Sequence, residues 1–143
     1  MLDLAKRKTV DLLVEQFWKQ GYMTVSRRFG TYLPEPSKVG NFMVDIIARQ
    51  KKNYAIGITI TDEDFNDSGL MEKIIYLATR QTKFTGKSVL LYIGVHSRYY
   101  KNAKVLIEKI DPQIQRNIRV IQISERTSIT RVRSKDRTNV LFS

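Results

Sequence analysis

Two neighbouring runs of β-forming residues, NFMVDIIAR over 41–49 and YAIGITIT over 54–61, constrain the fold of this chain most strongly. Both runs are rich in β-branched and apolar side chains. Only the polar residues 50–53 separate them, and a connection this short joins strands as an antiparallel hairpin. The sequence therefore predicts a sheet that contains this hairpin.

A helix and a strand are predicted before the hairpin. Apolar side chains recur at helical spacing over residues 4–20, and Gly21 provides a stop; the stripe is Leu4, Val10, Leu13, Val14, Phe17 and Trp18. Residues 22–29 are typical of a strand, and residues 30–40, with two prolines and two glycines, are typical of a loop.

Helices and strands alternate after the hairpin. Residues 61–64, TDED, supply capping groups for a helix that begins between Phe65 and Leu70 and ends near Lys83. The apolar run 88–95 predicts a buried strand, Ser97 is expected to cap a helix over 98–110, and a last strand is expected over 118–123. The predicted order is helix, three strands, helix, strand, helix, strand.

This order predicts an α/β fold with a central mixed sheet flanked by helices. A length of 143 residues fits one core, so residues 1–123 are interpreted as a single domain. Residues 124–143 form a basic C-terminal extension, for which an extra strand and a flexible tail both stay open.

Charge indicates the class of partner. The chain has 25 Lys and Arg against 14 Asp and Glu, a net charge of +11. An excess of this size in a small domain attracts polyanions such as nucleic acid, although a merely basic protein is the plain alternative.

Other classes of protein are disfavoured. The chain has no cysteine and one histidine, His96, which disfavours thiolate and multi-histidine metal sites. The N-terminus lacks the apolar core of a signal peptide, and the run 89–95 is far below the roughly 18 residues of a membrane span, so we expect a cytoplasmic protein without a membrane partner.

The order of elements, with VDIIARQKKNYAIGITI over 44–60, resembles the restriction-endonuclease-like superfamily, also called PD-(D/E)XK nucleases, which includes archaeal Holliday-junction resolvases. The resemblance covers roughly residues 8–123. It implies an Asp near the start of the second strand and an acid-x-Lys triplet in the third, which together hold divalent cations and a nucleophilic water. Asp45 matches the first position, with a solvated edge aspartate as the alternative.

The second half of the motif is missing. Alignment of the hairpin places Gly57-Ile58-Thr59 where the acid-x-Lys triplet is expected. Strand alternation puts Tyr54, Ile56, Ile58 and Ile60 on one face and Ala55, Gly57, Thr59 and Thr61 on the other, so the catalytic face carries only small neutral groups. The resemblance therefore predicts a scaffold without its cutting chemistry and without a cofactor.

Displaced carboxylates are the alternative. Glu15 on the first helix could serve as a catalytic acid beside Asp45, and Asp62 or Asp64 could join Asp45 in binding Mg²⁺ or Mn²⁺. Each acid also has an ordinary explanation. Glu15 stands four residues before Lys19, and residues 62–64 compensate the dipole of the next helix.

Basic residues suggest surfaces for nucleic acid. Lys73, Tyr76, Arg80 and Lys83 recur at helical spacing, and Arg98, Lys101 and Lys104 repeat the pattern later. The resemblance places two further groups beside its DNA groove, one in the loop and one at the hairpin tip: Arg27, Arg28 and Lys38, then Arg49, Lys51 and Lys52. In the C-terminal extension, Arg131 and Arg133 share one face of an extended chain.

The sequence thus predicts a protein that binds DNA, with RNA as a second choice, and does not cut it. A Mg²⁺-dependent endonuclease or Holliday-junction resolvase is the alternative. The frequent dimerisation of similar nucleases suggests a homodimer. His96 is expected to be a capping or surface residue, and Trp18, Tyr99 and Tyr100 are expected to be core or interface aromatics rather than base-stacking platforms.

Overall fold

Helices and strands follow the predicted order through residues 4–124, the part of the chain that the computed structural model describes, with two additional short helices, at 62–65 and 112–115, that the sequence did not predict. A 3₁₀ turn, Ser97–Tyr99, leads into the fourth helix. The elements are α1 (Leu4–Lys19), β1 (Met23–Arg27), β2 (Ile46–Gln50), β3 (Asn53–Ile60), α2 (Asp62–Phe65), α3 (Leu70–Ala78), β4 (Leu90–His96), α4 (Tyr100–Glu108), α5 (Pro112–Gln115) and β5 (Ile118–Ile123).

The strands of this region form one mixed sheet in the order β1-β2-β3-β4-β5. Strands β1, β2 and β3 pair antiparallel, whereas β3, β4 and β5 pair parallel. The predicted hairpin is confirmed, since Gln50 pairs with Asn53 and leaves Lys51 and Lys52 as the turn. Lys51 adopts a φ of 57°, a left-handed conformation that such a tight turn requires.

Helices cover both faces of the sheet, which confirms the predicted architecture. On one face α1 packs Val10, Leu13 and Phe17 against side chains from β2, β3 and β4. On the other face α3 and the segment from α4 to α5 bury a second cluster that includes Ile56, Ile58 and Ile60. The predicted alternation along β3 therefore decides which residues meet each layer.

The middle helix ends earlier than predicted. Helix α3 stops at Ala78, not near Lys83. The Thr79 hydroxyl donates to the carbonyl oxygen of Ile75 at 2.9 Å, and the Val89 N–H donates to the carbonyl oxygen of Arg80 at 3.0 Å. These bonds replace the next helical turn with a closed loop, so Arg80 and Lys83 lie beyond the helical face that carries Lys73.

Strand β2 also begins later than predicted, because the chain turns at Val39 and Phe42, which form an isolated bridge. Asp45 is consequently the residue before the strand, yet its N–H still donates to the Gly57 carbonyl oxygen at 2.9 Å.

Two residues of the predicted apolar stripe of α1 are exposed: Leu4 is 81% and Trp18 is 65% exposed. The stripe is therefore narrower than its apolar spacing suggests.

Further expectations concern caps and ends. His96, not Ser97, caps the turn before α4: its Nδ1 accepts from the Arg98 N–H at 3.2 Å, while the Ser97 hydroxyl donates to the Ile123 carbonyl oxygen. Between residues 4 and 124, no helix has the length and apolar character needed to cross a membrane. The extension predicted over 124–143, with Arg131 and Arg133, lies outside the described residues apart from Ser124.

Candidate nucleic-acid interface

Asp45 is a buried carboxylate, 5% exposed, whose oxygens are already engaged by the protein. Oδ2 accepts hydrogen bonds from the Thr59 N–H at 2.8 Å and from the Thr59 hydroxyl at 3.1 Å. Arg28 Nη1 lies 3.5 Å from Oδ1, and Lys6 Nζ lies 3.6 Å from Oδ2. Burying this charge is tolerable because hydrogen bonds and two cations compensate it.

Lys6 is the site residue that sequence reasoning missed. Its ammonium donates to the Thr59 hydroxyl at 2.8 Å and so reaches from α1 the face of β3 that carries Gly57 and Thr59. The resemblance expects a lysine there from the third strand itself. Only the crossing of α1 over β3 brings Lys6 to this place, so no local spacing could have indicated it.

Charges nearly cancel around this carboxylate. The cavity, which we call the Asp45 pocket, is lined by three cations and three carboxylates: Lys6, Arg28, Lys73, Asp45, Asp64 and Asp67. Burial lowers the pKa of Lys73, against the opposing effect of Asp45 and, more weakly, of Asp64 and Asp67. The pocket is therefore an internally compensated ion cluster.

A divalent metal does not fit these residues. Mg²⁺ requires several oxygen ligands, but the Asp45 carboxylate faces Lys6 and Arg28, which repel a cation. The triplet's acid position is filled as well, because a Cβ on Gly57 would lie 2.8 Å from Cε2 of Phe17. Among residues 4–124, no cluster of three or more His, Cys, Asp or Glu is arranged to hold a metal ion.

The displaced carboxylates serve other purposes. Asp64 accepts from the Thr61 N–H at 2.8 Å and from the Thr61 hydroxyl at 3.1 Å, which caps the short helix α2 and not the helix that the sequence predicted to begin between Phe65 and Leu70. Asp62 is exposed, and its Oδ1 accepts from the Glu63 N–H at 3.0 Å. Glu15 lies on α1 and does not line the Asp45 pocket.

A second concave surface concentrates positive charge without compensation. It lies between the β2–β3 hairpin and the loop after α3, encloses about 640 Å³, and has no acidic residue among the described residues that line it. We call it the basic groove, and its cations are Arg49, Lys51, Lys52, Arg80 and Lys83. Such a surface suits a chain of phosphates.

Apolar side chains form the floor of the basic groove. Ile47, Tyr54 and Ile56 come from β2 and β3, and Val89 precedes β4. Above them the Arg80 guanidinium stacks 3.7 Å from the centroid of the Tyr76 ring, and its Nε donates to the Tyr76 carbonyl oxygen at 2.8 Å. These contacts fix the arginine before any ligand arrives.

Phe84 stands at the edge of this groove with its side chain 99% exposed. Burial of a phenylalanine side chain stabilises a fold by about 1.5–3 kcal/mol, which Phe84 does not contribute here. The loop is nevertheless ordered by backbone bonds, from Thr82 N–H to the Lys87 carbonyl oxygen and from Gly86 N–H to the Thr82 carbonyl oxygen, both 2.9 Å. Sequence reasoning missed Phe84, although an aromatic between Lys83 and a turn glycine was a signal.

The predicted nucleic-acid-binding residues separate into distinct groups. Five of them line the basic groove, as named above, whereas Lys73 faces the Asp45 pocket. Arg27 forms an ion pair with Asp11, and Arg28 is paired with Asp45. Lys38 is exposed next to Val39, which lines the groove.

The remaining aromatics follow the expectations in part. Tyr99 and Tyr100 are half-buried, and the Tyr99 ring lies 5.9 Å from that of Phe65.

Searches of family models, curated proteins and solved structures found no match to this chain.

Proposed function

We propose that this protein binds nucleic acid, DNA in the first instance and RNA as the second choice, without cutting it. The basic groove carries the proposal: it gathers five cations and no acid among the described residues that line it. Salt screens the negative charge of acidic side chains elsewhere on the surface within about 8–10 Å at physiological ionic strength. The groove therefore keeps its own positive potential.

The scaffold proposed for this function is restriction-endonuclease-like. Its support is the position of the two motif segments, which lie side by side on neighbouring strands. The Asp45 N–H bonds to the Gly57 carbonyl oxygen at 2.9 Å, and the Asp45 carboxylate bonds to Thr59. This is the adjacency that the resemblance expects between the first acid and the triplet.

The absence of cutting is proposed from the chemistry of the Asp45 pocket. Thr59 and two cations already bind the Asp45 oxygens, and Phe17 occupies the space of the triplet's acid. A hydrolytic site would need those oxygens for a metal ion. Asp45 therefore acts as the counterion that holds Lys6 and Arg28 in place.

Incubation of the protein with plasmid, four-way-junction and single-stranded DNA, in Mg²⁺ or Mn²⁺, tests both parts of the proposal. We expect a mobility shift without cleavage products, and an affinity that falls roughly 10³-fold between 50 and 200 mM salt if about six phosphates are neutralised. No detectable binding at low salt would refute the function. Cleavage that disappears in Asp45→Asn would refute the non-catalytic part.

A metal-dependent endonuclease is the second candidate, and one observation favours it. Lys6 brings an ammonium within 3.6 Å of Asp45 and so replaces the missing lysine in space. Lys6→Met in the same cleavage assay distinguishes the two candidates. Cleavage that is abolished in both Lys6→Met and Asp45→Asn would establish the endonuclease, whereas we expect no cleavage by the natural protein.

A homodimer stays a prediction. Two basic grooves on one dimer would raise the effective concentration of the second contact on a single nucleic acid. Light scattering at micromolar concentration measures it directly, and a mass of only 16.7 kDa would contradict it.

A further inference from the structure

We infer that the basic groove takes unpaired nucleotides, with a base stacked on Phe84, so that the ligand is single-stranded DNA or RNA rather than a closed duplex. The inference rests on the proposed function and specifies its ligand. Its first support is the placement of Phe84, which is 99% exposed and lines the same groove as the five cations. Every base presents a π-face to such a ring, whatever its sequence.

The loop that carries Phe84 is held in place. It is closed by the bridge between Gln81 and Ser88, by the Thr82 to Lys87 backbone bond at 2.9 Å, and by a hydrogen bond between the Thr82 and Thr85 hydroxyls. A ring on an ordered loop loses little conformational freedom when a base stacks on it. Phe84 is thus presented to a ligand rather than left over from packing.

The floor of the groove gives a second, independent support. A duplex offers its outer phosphates to a protein and keeps its base faces stacked inside. Ile47, Tyr54 and Ile56 would gain little from phosphates, because apolar side chains do not bind them. An unpaired strand, in contrast, can turn its bases onto an apolar and aromatic floor while its phosphates stay outside.

Cations stand on both sides of this floor. The hairpin supplies Arg49, Lys51 and Lys52 on one side, and the loop after α3 supplies Arg80 and Lys83 on the other. A single strand that runs between them can reach a cation from each side. Single-strand sites of known type combine the same two parts, a cationic groove and stacking aromatics.

Another exposed aromatic shows what distinguishes Phe84. Tyr32 is 96% exposed, but it lines a different cavity, in which Arg27 is paired with Asp11. The charged residues of that cavity are Arg7, Arg27 and Asp11, whereas the basic groove has five cations and no acid among its described lining residues. Tyr32→Ala is consequently the matched control for Phe84→Ala, since both remove an exposed ring without disturbing the core.

Fluorescence anisotropy with labelled oligonucleotides of about 16 nucleotides tests the inference on the full chain. Single-stranded DNA, single-stranded RNA and the matching duplex are compared at one salt concentration. We expect both single strands to bind at least about 10-fold more tightly than the duplex. We expect Phe84→Ala to weaken single-strand binding about 5- to 150-fold, Phe84→Tyr to restore it, and Tyr32→Ala to leave it unchanged.

Photo-crosslinking locates the base. An oligonucleotide with 5-iodouracil should crosslink to the peptide that contains Phe84, as identified by mass spectrometry. Equal affinity for duplex and single strand, with no effect of Phe84→Ala, would overturn this inference and leave nucleic-acid binding intact. Loss of all binding at low salt would overturn both. Self-association that disappears in Phe84→Ala would assign the groove to a second copy of the chain instead.

Discussion

The Asp45 pocket holds three cations and the basic groove holds five, and the two sites differ in what surrounds those cations. In the Asp45 pocket, Lys6, Arg28 and Lys73 face three carboxylates, and Asp45 is 5% exposed. In the basic groove, five cations surround an apolar floor with no acid among the described lining residues. Cations that are neutralised inside the fold position their neighbours, whereas uncompensated cations remain for a ligand.

This difference explains why a net charge of +11 does not indicate which cations form the interface. Arg27, Arg28 and Lys73 contribute to that sum as fully as Lys51 or Lys83. Their partners, however, are carboxylates of the same chain or groups in the Asp45 pocket. A phosphate would have to displace those partners before it could bind.

The largest expected effect comes from removing charge at the groove. Lys51, Lys52 and Lys83 are exposed, so their joint substitution by Gln should leave the fold intact. The logarithm of the binding constant falls with the logarithm of the salt concentration, with a slope of about 0.9 per neutralised phosphate. Removing all three charges should therefore weaken nucleic-acid binding about 500-fold at 0.1 M salt. Anisotropy titrations over a range of salt concentrations measure both quantities.

A control with the same change in charge comes from cations outside the groove. Arg98, Lys101 and Lys104 belong to α4 and the turn before it, are exposed, and do not line the groove. Their joint substitution by Gln should change affinity less than about threefold because of screening. Equal losses of affinity in the two triple variants would show that binding follows net charge alone and that the groove is not the interface.

A smaller effect is expected at Gly57, which packs closely against Phe17 and Ile46. A Cβ there would lie 2.8 Å from Cε2 of Phe17 and 3.1 Å from Cβ of Ile46. We expect Gly57→Ala to lower the free energy of unfolding by about 1–3 kcal/mol through overpacking, as measured by urea denaturation. Gly69→Ala is the control, since its Cβ would meet only Asp67 Oδ1, at 3.4 Å.

The same position tests the comparison between the two sites. Nucleic-acid affinity of folded Gly57→Ala should equal that of the natural protein, because the groove lies elsewhere. The double variant Gly57→Asp with Thr59→Lys introduces the acid and the lysine that the resemblance expects in β3. It should not gain metal-dependent cleavage. A gain of cleavage would mean that α1 can move away from β3 and that the Asp45 pocket is a dormant catalytic site.

The smallest effect concerns pH. Burial lowers the pKa of Lys73 in the folded state below its usual 10.5. In the pH range just below 10.5, the unfolded chain therefore binds more protons at Lys73 than the folded chain does. Stability from this residue therefore rises with pH through that range. The natural protein should gain stability relative to Lys73→Met as pH approaches 10.5, and urea denaturation at several pH values measures the difference.

The comparison with Lys73→Met is needed because two tyrosines titrate in the same pH range. Burial raises the pKa of Tyr22 and Tyr92, so their contribution to stability is lost as pH rises above 10.0. Both proteins share this loss, and it cancels in the difference. A difference that stays constant with pH would show that Lys73 is not perturbed by the Asp45 pocket.

Much of the fold followed from local patterns in the sequence. The hairpin, the alternation along β3 and the span of β5 were predicted because strand periodicity and turn chemistry are properties of neighbouring residues. The end of α3 was not, because Thr79 and the pairing of Arg80 with Val89 compete with a helical pattern that the spacing of Lys73, Arg80 and Lys83 still allows. The position of β2 shifted for a similar reason, the turn at Val39 and Phe42.

The site was predictable residue by residue but not as an arrangement. The sequence alone determined that Asp45 and residues 57–59 lie on neighbouring arms of one hairpin, that residues 57–59 include neither an acid nor a lysine, and that basic residues dominate, since these are facts of composition and hairpin register. Only the tertiary structure decided that Lys6 reaches Thr59, that Phe17 fills the space above Gly57, and that Lys51 and Lys83 share one groove. Those contacts join elements far apart in the chain, and their formation depends on how α1 and the loop after α3 pack on the sheet, which no local spacing encodes.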